Sequence, residues 1–357
     1  MKKIALPAVA VLVFAVAALG QTTAVSDKFL ISAKAGGVNA VDGDVFIKRV
    51  DGRTSHLFKG DEVQIGERVS TGDDGKAEVL MNPGSYVRLG PKSSFEFVST
   101  DLDNVRLKMH SGSAVLEILG TEGFNVELST DTARFTILES GVYRIDAAEK
   151  GSSVVAVWKG KLRAGNESKS SVGKGKVVTF ERSTYSVAKF DRDTKDELAT
   201  WSTERAKTLS QMSASLRPST LRNALVSTFY GNQWNFYDSF GLWVYNPNVR
   251  SFCFLPFGMG WQSPYGFGFG RPIWFYNLPT RIYDQNRYPS TTADRTTIPV
   301  DPNPRRNPVK ISDDASGRGI FKGPTVAPPE MGTINVPQSA PVYTAPAASK
   351  SAVKRPD

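Results

Sequence analysis

Between residues 36 and 97 apolar and polar positions alternate, and a glycine or an Asn-Pro-Gly falls every eight to ten residues. Val45, Ile47, Val63, Ile65, Val69, Ala77, Val79, Val87 and Leu89 take the apolar places. A period of two, broken by regular turn signals, predicts many short strands with one buried face. Turns are expected at Val50-Asp-Gly-Arg53, Thr71-Gly-Asp-Asp-Gly75, Asn82-Pro-Gly84, Lys150-Gly-Ser152 and Lys159-Gly-Lys161. Asp-Gly and Pro-Gly supply the backbone angles that tight turns require. Further strands are expected at Phe124–Leu128, Ala133–Leu138, Val142–Ile145, Val154–Trp158, Lys161–Ala164 and Val177–Phe180. The chain from 36 to 189 is therefore expected to form one mainly β domain. A β-sandwich and a short, irregular β-solenoid would both bury this pattern.

The period then changes. Leu198, Trp201, Leu209, Met212 and Leu216 recur at helical spacing, and Thr194 stands three residues before Glu197. That is a capping-box arrangement, in which a hydroxyl and a carboxylate satisfy early helix amides. It predicts one amphipathic helix over 194–216, ended by Pro218 and docked on the β domain through Trp201. Its polar face mixes both signs of charge, which favours packing over a membrane surface.

Residues 229–283 hold about half of the chain's aromatic residues in a sixth of its length, interleaved with glycine. The expectation is a small packed subdomain of short strands and loops, with one or two rings left at its rim. The alternative is an exposed stacking face for glycan rings or an envelope partner. Trp234, Trp243, Trp261 and Trp274 are its candidate binding residues. Residues 288–357 contain 12 prolines and no apolar period. Such a segment buries too little surface to offset its ordering entropy and is expected to be a disordered spacer.

Met1-Lys-Lys followed by the uncharged run Ile4–Leu19 and Ala18-Leu-Gly20 reads as a signal peptide over 1–20, cleaved before Gln21. The run is short for a membrane span and contains Pro7. An uncleaved anchor is the alternative, and only then is membrane association expected. The expected compartment is periplasmic or secreted. The formal charge is +9 over 357 residues. The part between the signal segment and residue 190 is nearly neutral, so the surplus lies in the second half. A diffuse surplus suits anionic envelope polymers or lipid head groups, and no nucleic-acid partner is expected in an exported protein. Cys253 is the one cysteine, which excludes an internal disulfide and cysteine-based metal sites. His56 and His110 match no metal-ligand spacing. Gly266-Phe-Gly-Phe-Gly270 lacks the following helix of a phosphate loop. Asp42, Asp44, Asp73 and Asp74 lack the spaced carboxylates of a calcium loop. No catalytic set, metal or cofactor is expected, and the chain is read as a non-enzyme.

Gly36-Gly-Val38, the run Lys59-Gly-Asp-Glu-Val-Gln-Ile-Gly-Glu-Arg-Val-Ser-Thr-Gly72 and the run Gly75 to Pro91 resemble the FecR domain of bacterial envelope regulators. Weaker resemblance continues to about Phe180. The resemblance implies a FecR-like module outside the cytoplasmic membrane, working by protein interaction or signal sensing. FecR-like regulators also carry a cytoplasmic anti-sigma segment. Only Lys2 and Lys3 precede the apolar run here, so the domain is expected without that circuit. The expected partner is an envelope protein. A structural or glycan-binding role through the aromatic segment and basic tail is the alternative.

Overall fold

In the computed structural model, residues 31–120, 125–148, 151–165, 171–181, 184–236, 239–246 and 249–284 are described. The expected signal peptide (1–20) and proline-rich tail (288–357) lie outside the described residues.

A short strand, β1 (Ile31–Ser32), comes first. The alternating region then forms β2 (Val38–Asp42), β3 (Val45–Lys48), β4 (Thr54–His56), β5 (Arg68–Thr71) and β6 (Lys76–Leu80). Next are β7 (Tyr86–Leu89), β8 (Ser94–Asp101), the long β9 (Asn104–Ile118), β10 (Asn125–Ser129) and β11 (Arg134–Ile137). The series ends with β12 (Gly141–Ala147), β13 (Ser153–Lys159), β14 (Lys161–Ala164), β15 (Ser171–Gly173), β16 (Lys176–Glu181) and β17 (Thr184–Lys189).

These strands make two layers that share β9. One layer runs β2-β6-β7-β9-β12-β13-β16-β17, and the other β4-β3-β5-β8-β9-β10-β11-β14-β15. The first half of β9 pairs with β8 and β10, and its second half with β7 and β12. The crossing falls at Gly112, whose φ is +79°. A Cβ there would lie within 2.5 Å of Ser93 and the Lys92 carbonyl, so only glycine lets the strand bend between layers. The two facing layers enclose one apolar core. Ile47, Val69, Phe95, Phe97, Leu107 and Phe135 come from one side, and Val79, Val87, Leu116, Ile145 and Val178 from the other. The architecture is thus mainly β and is a sandwich rather than a solenoid; neither layer closes into a barrel. Of the alternating apolar positions, Ile65 departs from expectation and is 51% exposed.

The second half contributes α1 (Glu197–Ala214), α2 (Pro218–Tyr230), the hairpin β18 (Gly241–Asn246) and β19 (Ser251–Pro256), a 3-10 turn (Ile273–Tyr276) and α3 (Thr280–Asp284). Two helix expectations need correction. The N-cap of α1 is Asp196, whose carboxylate accepts from the Ala199 amide at 2.9 Å; Thr194 instead donates to Asp191. Pro218 stops one helix by starting another. It stands first in α2, where its missing N–H has no helical partner to lose. β1 pairs with β18 and completes a three-stranded sheet. Trp201 is only half-buried, packed with Leu198, Val115 and Val142. The face of α1 that points inward carries Leu198, Ala206, Leu209 and Met212 together with three serines.

Candidate interaction surfaces

On β6 and β7 the residues that alternate with core-facing Ala77, Val79, Val87 and Leu89 are Glu78, Tyr86 and Arg88, and on β9 the matching residue is Glu117. Alternation points them away from the sandwich core, and a solvent-facing position is the default for such charges. They are buried instead: Glu78, Arg88 and Glu117 are at most 1% exposed. α1 and the loop through Ser263 and Tyr265 cover them. Arg88 Nε donates to Glu78 at 2.7 Å, and its Nη1 donates to Glu117 at 2.7 Å and to Ser202 at 3.0 Å. Arg205 of α1 donates to the other oxygen of Glu78 at 2.7 Å, which also accepts from Asn39 at 2.8 Å. Ser263 donates to Glu117, and Ser202 meets the Tyr265 hydroxyl at 2.8 Å. Two carboxylates and two guanidiniums therefore balance within the seam.

Burial alone would raise the Glu78 carboxyl, but Arg88 and Arg205 together hold it down at about 2. Burial does prevail at Glu117, whose carboxyl is raised although Arg88 and Ser263 oppose the shift. The Arg88 guanidinium is held charged, its two carboxylates outweighing the cost of burial. Around this network lies an aromatic and aliphatic seam. Leu80, Tyr86 and Leu119 of the sandwich pack with Leu209, Leu221, Trp243, Phe254 and Ile273. The Trp243 indole donates to the Met81 carbonyl at 3.2 Å. Lys59 spans the same junction from the other side, with Nζ 3.5 Å from the Val249 carbonyl. Burial, then Arg205 and Arg250, lower its pKa, with Glu78 opposing.

The four tryptophans are not brought together on one face. Trp243 is fully buried and Trp234 is 4% exposed, its indole donating to Thr228 at 2.9 Å. Trp261 is half-buried and stacks on Phe240 at 5.0 Å. Trp274 is 42% exposed and stacks against Phe236 and Tyr283. Cys253 is buried beside the Val244 carbonyl, and burial pushes its thiol up to about 12. Among the described residues no group of His, Cys, Asp and Glu is arranged to hold a metal ion. No described helix is long and apolar enough to cross a membrane.

Among the described residues, the β17 edge of the sandwich is uncovered. All six residues of β17 are exposed. At the end of the β16–β17 ribbon lies an open cleft of about 340 Å³, lined by Lys174, Gly175, Lys176, Lys189, Phe190 and Arg192. None of these four cations forms an ion pair with a described carboxylate. The residues that sequence reasoning missed are Glu78, Arg88, Glu117 and Arg205. The serines of α1 give no pointer to them, because only Ser202 meets Arg88, while Ser210 and Ser213 donate to the Gly268 and Phe254 carbonyls.

Residues 67–163, from just before β5 into β14, match the family model described as FecR protein. The chain therefore contains a FecR domain. Two solved structures are similar to it, both of proposed anti-sigma factors from Parabacteroides distasonis. One is 19% identical, with a TM-score of 0.31, covering 42% of this chain and 65% of its own. The other is 18% identical, with a TM-score of 0.30, covering 46% of this chain and 74% of its own. The chain thus spans a little under two thirds of the first of these structures. No curated protein matches it.

Proposed function

We propose that this protein is an exported, non-enzymatic FecR-like module that binds a protein partner, or senses a signal through one, in the bacterial cell envelope. The FecR match over 67–163 carries this reading. The way the interior uses its charges supports it. Glu78, Arg88, Glu117 and Arg205 are committed to one another at the seam, which leaves the surface to do the work. Export rests on Met1-Lys-Lys, the apolar run to Leu19 and Ala18-Leu-Gly20. The domain layout is a signal peptide over 1–20, a FecR-like domain over 36–189, a helical and aromatic layer, and a spacer from 288. The test is capture by the full chain from periplasmic and outer-membrane extracts, with cross-linking and partner identification. A single envelope protein retained at micromolar bait is expected. Capture of none, or N-terminal sequencing that finds an unexported chain, defeats the reading.

A second reading, glycan binding, draws on one observation: the Trp274 ring is 42% exposed on a stack with Phe236 and Tyr283. Retention on envelope glycans that is abolished by Trp274→Ala would favour it over a protein partner.

A further inference from the structure

β17 is the last strand of its layer and pairs with β16 alone among the described strands. The direction of its free backbone groups follows from its register. The Phe190 amide donates to the Gly175 carbonyl at 3.2 Å, so residues 175 and 190 form a hydrogen-bonded pair. Pairs of this kind alternate along an antiparallel ladder. Val177–Ala188, Thr179–Ser186 and Glu181–Thr184 then exchange main-chain bonds, and Tyr185, Val187 and Lys189 direct their N–H and C=O groups away from β16. That is an unfilled half-ladder three residues deep.

The side chains on this edge are unfinished in the same sense. Tyr185 and Val187 stand opposite Phe180 and Val178. Val178 and Phe180 belong to the sandwich core, while Val187 and Tyr185 are 45% and 46% exposed. The apolar face thus runs on past the last covered strand. Beyond Val187, Lys189 stands directly opposite Lys176. Like charges facing across a ladder are destabilising. Lys174 and Arg192 add two more cations around the same cleft. Asp191 and Asp193 flank Arg192 in sequence, but the Asp191 carboxylate is occupied by the Asp193 amide and the Thr194 hydroxyl.

We propose that the β17 edge is a docking site for an extended segment of a partner protein, which adds as a further strand and places acidic residues beside Lys176 and Lys189. The inference rests on the protein-partner reading above and names the chemistry of the contact. Main-chain bonds to Tyr185, Val187 and Lys189 give binding, alternate apolar side chains cover Tyr185 and Val187, and the carboxylates relieve the lysine pair. The unmatched cations argue for a partner over a second copy, because β17 itself carries no carboxylate to set beside Lys189.

The test uses the full chain and a labelled peptide, Glu-Asp-Thr-Val-Thr-Val-Thr, followed by fluorescence anisotropy. Antiparallel addition sets its acidic end beside Lys189. A Lys-Lys-Thr-Val-Thr-Val-Thr peptide is the charge control. Val187→Pro removes an outward N–H and leaves the β16 ladder intact, since proline is accepted on an edge whose N–H faces solvent. Saturable binding of the acidic peptide is expected. It should weaken at least tenfold in Val187→Pro, and also in the double variant Lys176→Glu with Lys189→Glu. The lysine peptide should not bind. Absence of binding, equal binding of both peptides, or full binding by either variant overturns the proposal. So does sedimentation showing a dimer that Val187→Pro dissociates, which would make a second copy the occupant. A Lys189 cross-link to residues 285–357 in place of the peptide overturns it as well. An envelope protein captured equally by wild type and Val187→Pro would sink this inference and leave the proposed function standing. Capture of none by wild type would sink the function itself.

Discussion

The two large interiors among the described residues are built on different rules. The sandwich core is aliphatic and aromatic, with Val79, Val87, Phe95, Phe97 and Leu116 among its members. Its partners come from neighbouring strands, and its pattern is a period of two. The seam on the back of the same strands mixes Trp243, Phe254 and Leu209 with a closed set of charges. Several of its contacts join residues more than a hundred positions apart, as with Glu78 and Arg205 or Glu117 and Ser263. A strand can therefore be alternating in sequence and buried on both faces. Apolar burial drives the first core, at about 25 cal/mol per Å². In the seam, mutual satisfaction decides the outcome, because a buried charge without a partner costs several kcal/mol.

The sharpest way to break this comparison is to remove one charge from the seam. Arg88→Met leaves Glu117 without a cation and Glu78 with Arg205 alone. It should cost about 3–5 kcal/mol at neutral pH, the range for breaking a buried pair from one side, read as a drop in urea-unfolding free energy. Part of the loss should return as the pH falls, since the stranded carboxylates can then take up protons. A loss that does not change with pH would mean that missing volume, and not missing charge, accounts for it.

The hydrophobic half of the seam has its own test. Trp243→Ala should cost about 3–5 kcal/mol, as for other large buried aromatics. Trp274→Ala at the rim should stay within about 0.5 kcal/mol. Equal losses would show that the aromatic layer is packed uniformly and has no rim.

The wild-type protein should also respond to acid through this seam. Glu78 sits at about 2 when folded, against an ordinary 4.5. A depressed carboxyl contributes stability that is full above its unfolded value and is lost as the pH falls through the folded one. Glu117 has the opposite sign: its pKa is raised, so its contribution declines as the pH rises through the folded value. Between pH 4.5 and 2 the Glu78 effect should dominate and amount to about 3 kcal/mol. Near-UV dichroism of Trp243 is a suitable signal, and Glu78→Gln should flatten this acid slope. An unchanged slope in that variant would assign the acid response to other carboxylates.

The sandwich was largely legible because its signals are local. Alternation placed Val45, Ile47, Val79 and Leu89 inward, and Gly-containing turns marked the strand ends. The motif from Lys59 to Gly72 pointed to the FecR domain that the match over 67–163 supports. Ile65 failed because it forms an isolated bridge to Phe97 between the regular strands, where its neighbours' period does not run. The seam was not legible, for a physical reason. Glu78 and Arg88 occupy outward strand positions, where charge is ordinary, and nothing nearby in sequence says that α1 will cover them. The candidate tryptophans were legible as a group but not individually, since burial separates Trp243 from Trp274 and composition does not. Pro218 misled because the same residue ends a helix or begins one.

The smallest expected effect lies at the margin of the seam, where α1 begins. Asp196 caps the helix through the Ala199 amide and pairs with Arg144, which also holds Asp146 at 3.0 Å. The Arg144 pair is partly exposed, so solvent screens it and it adds little. The cap itself satisfies a helix amide with no other acceptor, and its loss is worth about 1 kcal/mol. Asp196→Ala should therefore lower stability by about that amount, while Asp196→Asn, which keeps a capping oxygen and gives up the charge, should retain most of it. Thr194→Ala touches only an exposed bond to Asp191 and should change stability by less than about 0.5 kcal/mol. Urea unfolding of the three variants ranks them. If Thr194→Ala costs more than Asp196→Ala, the helix starts at the capping box that the sequence suggested, and α1 begins about half a turn earlier.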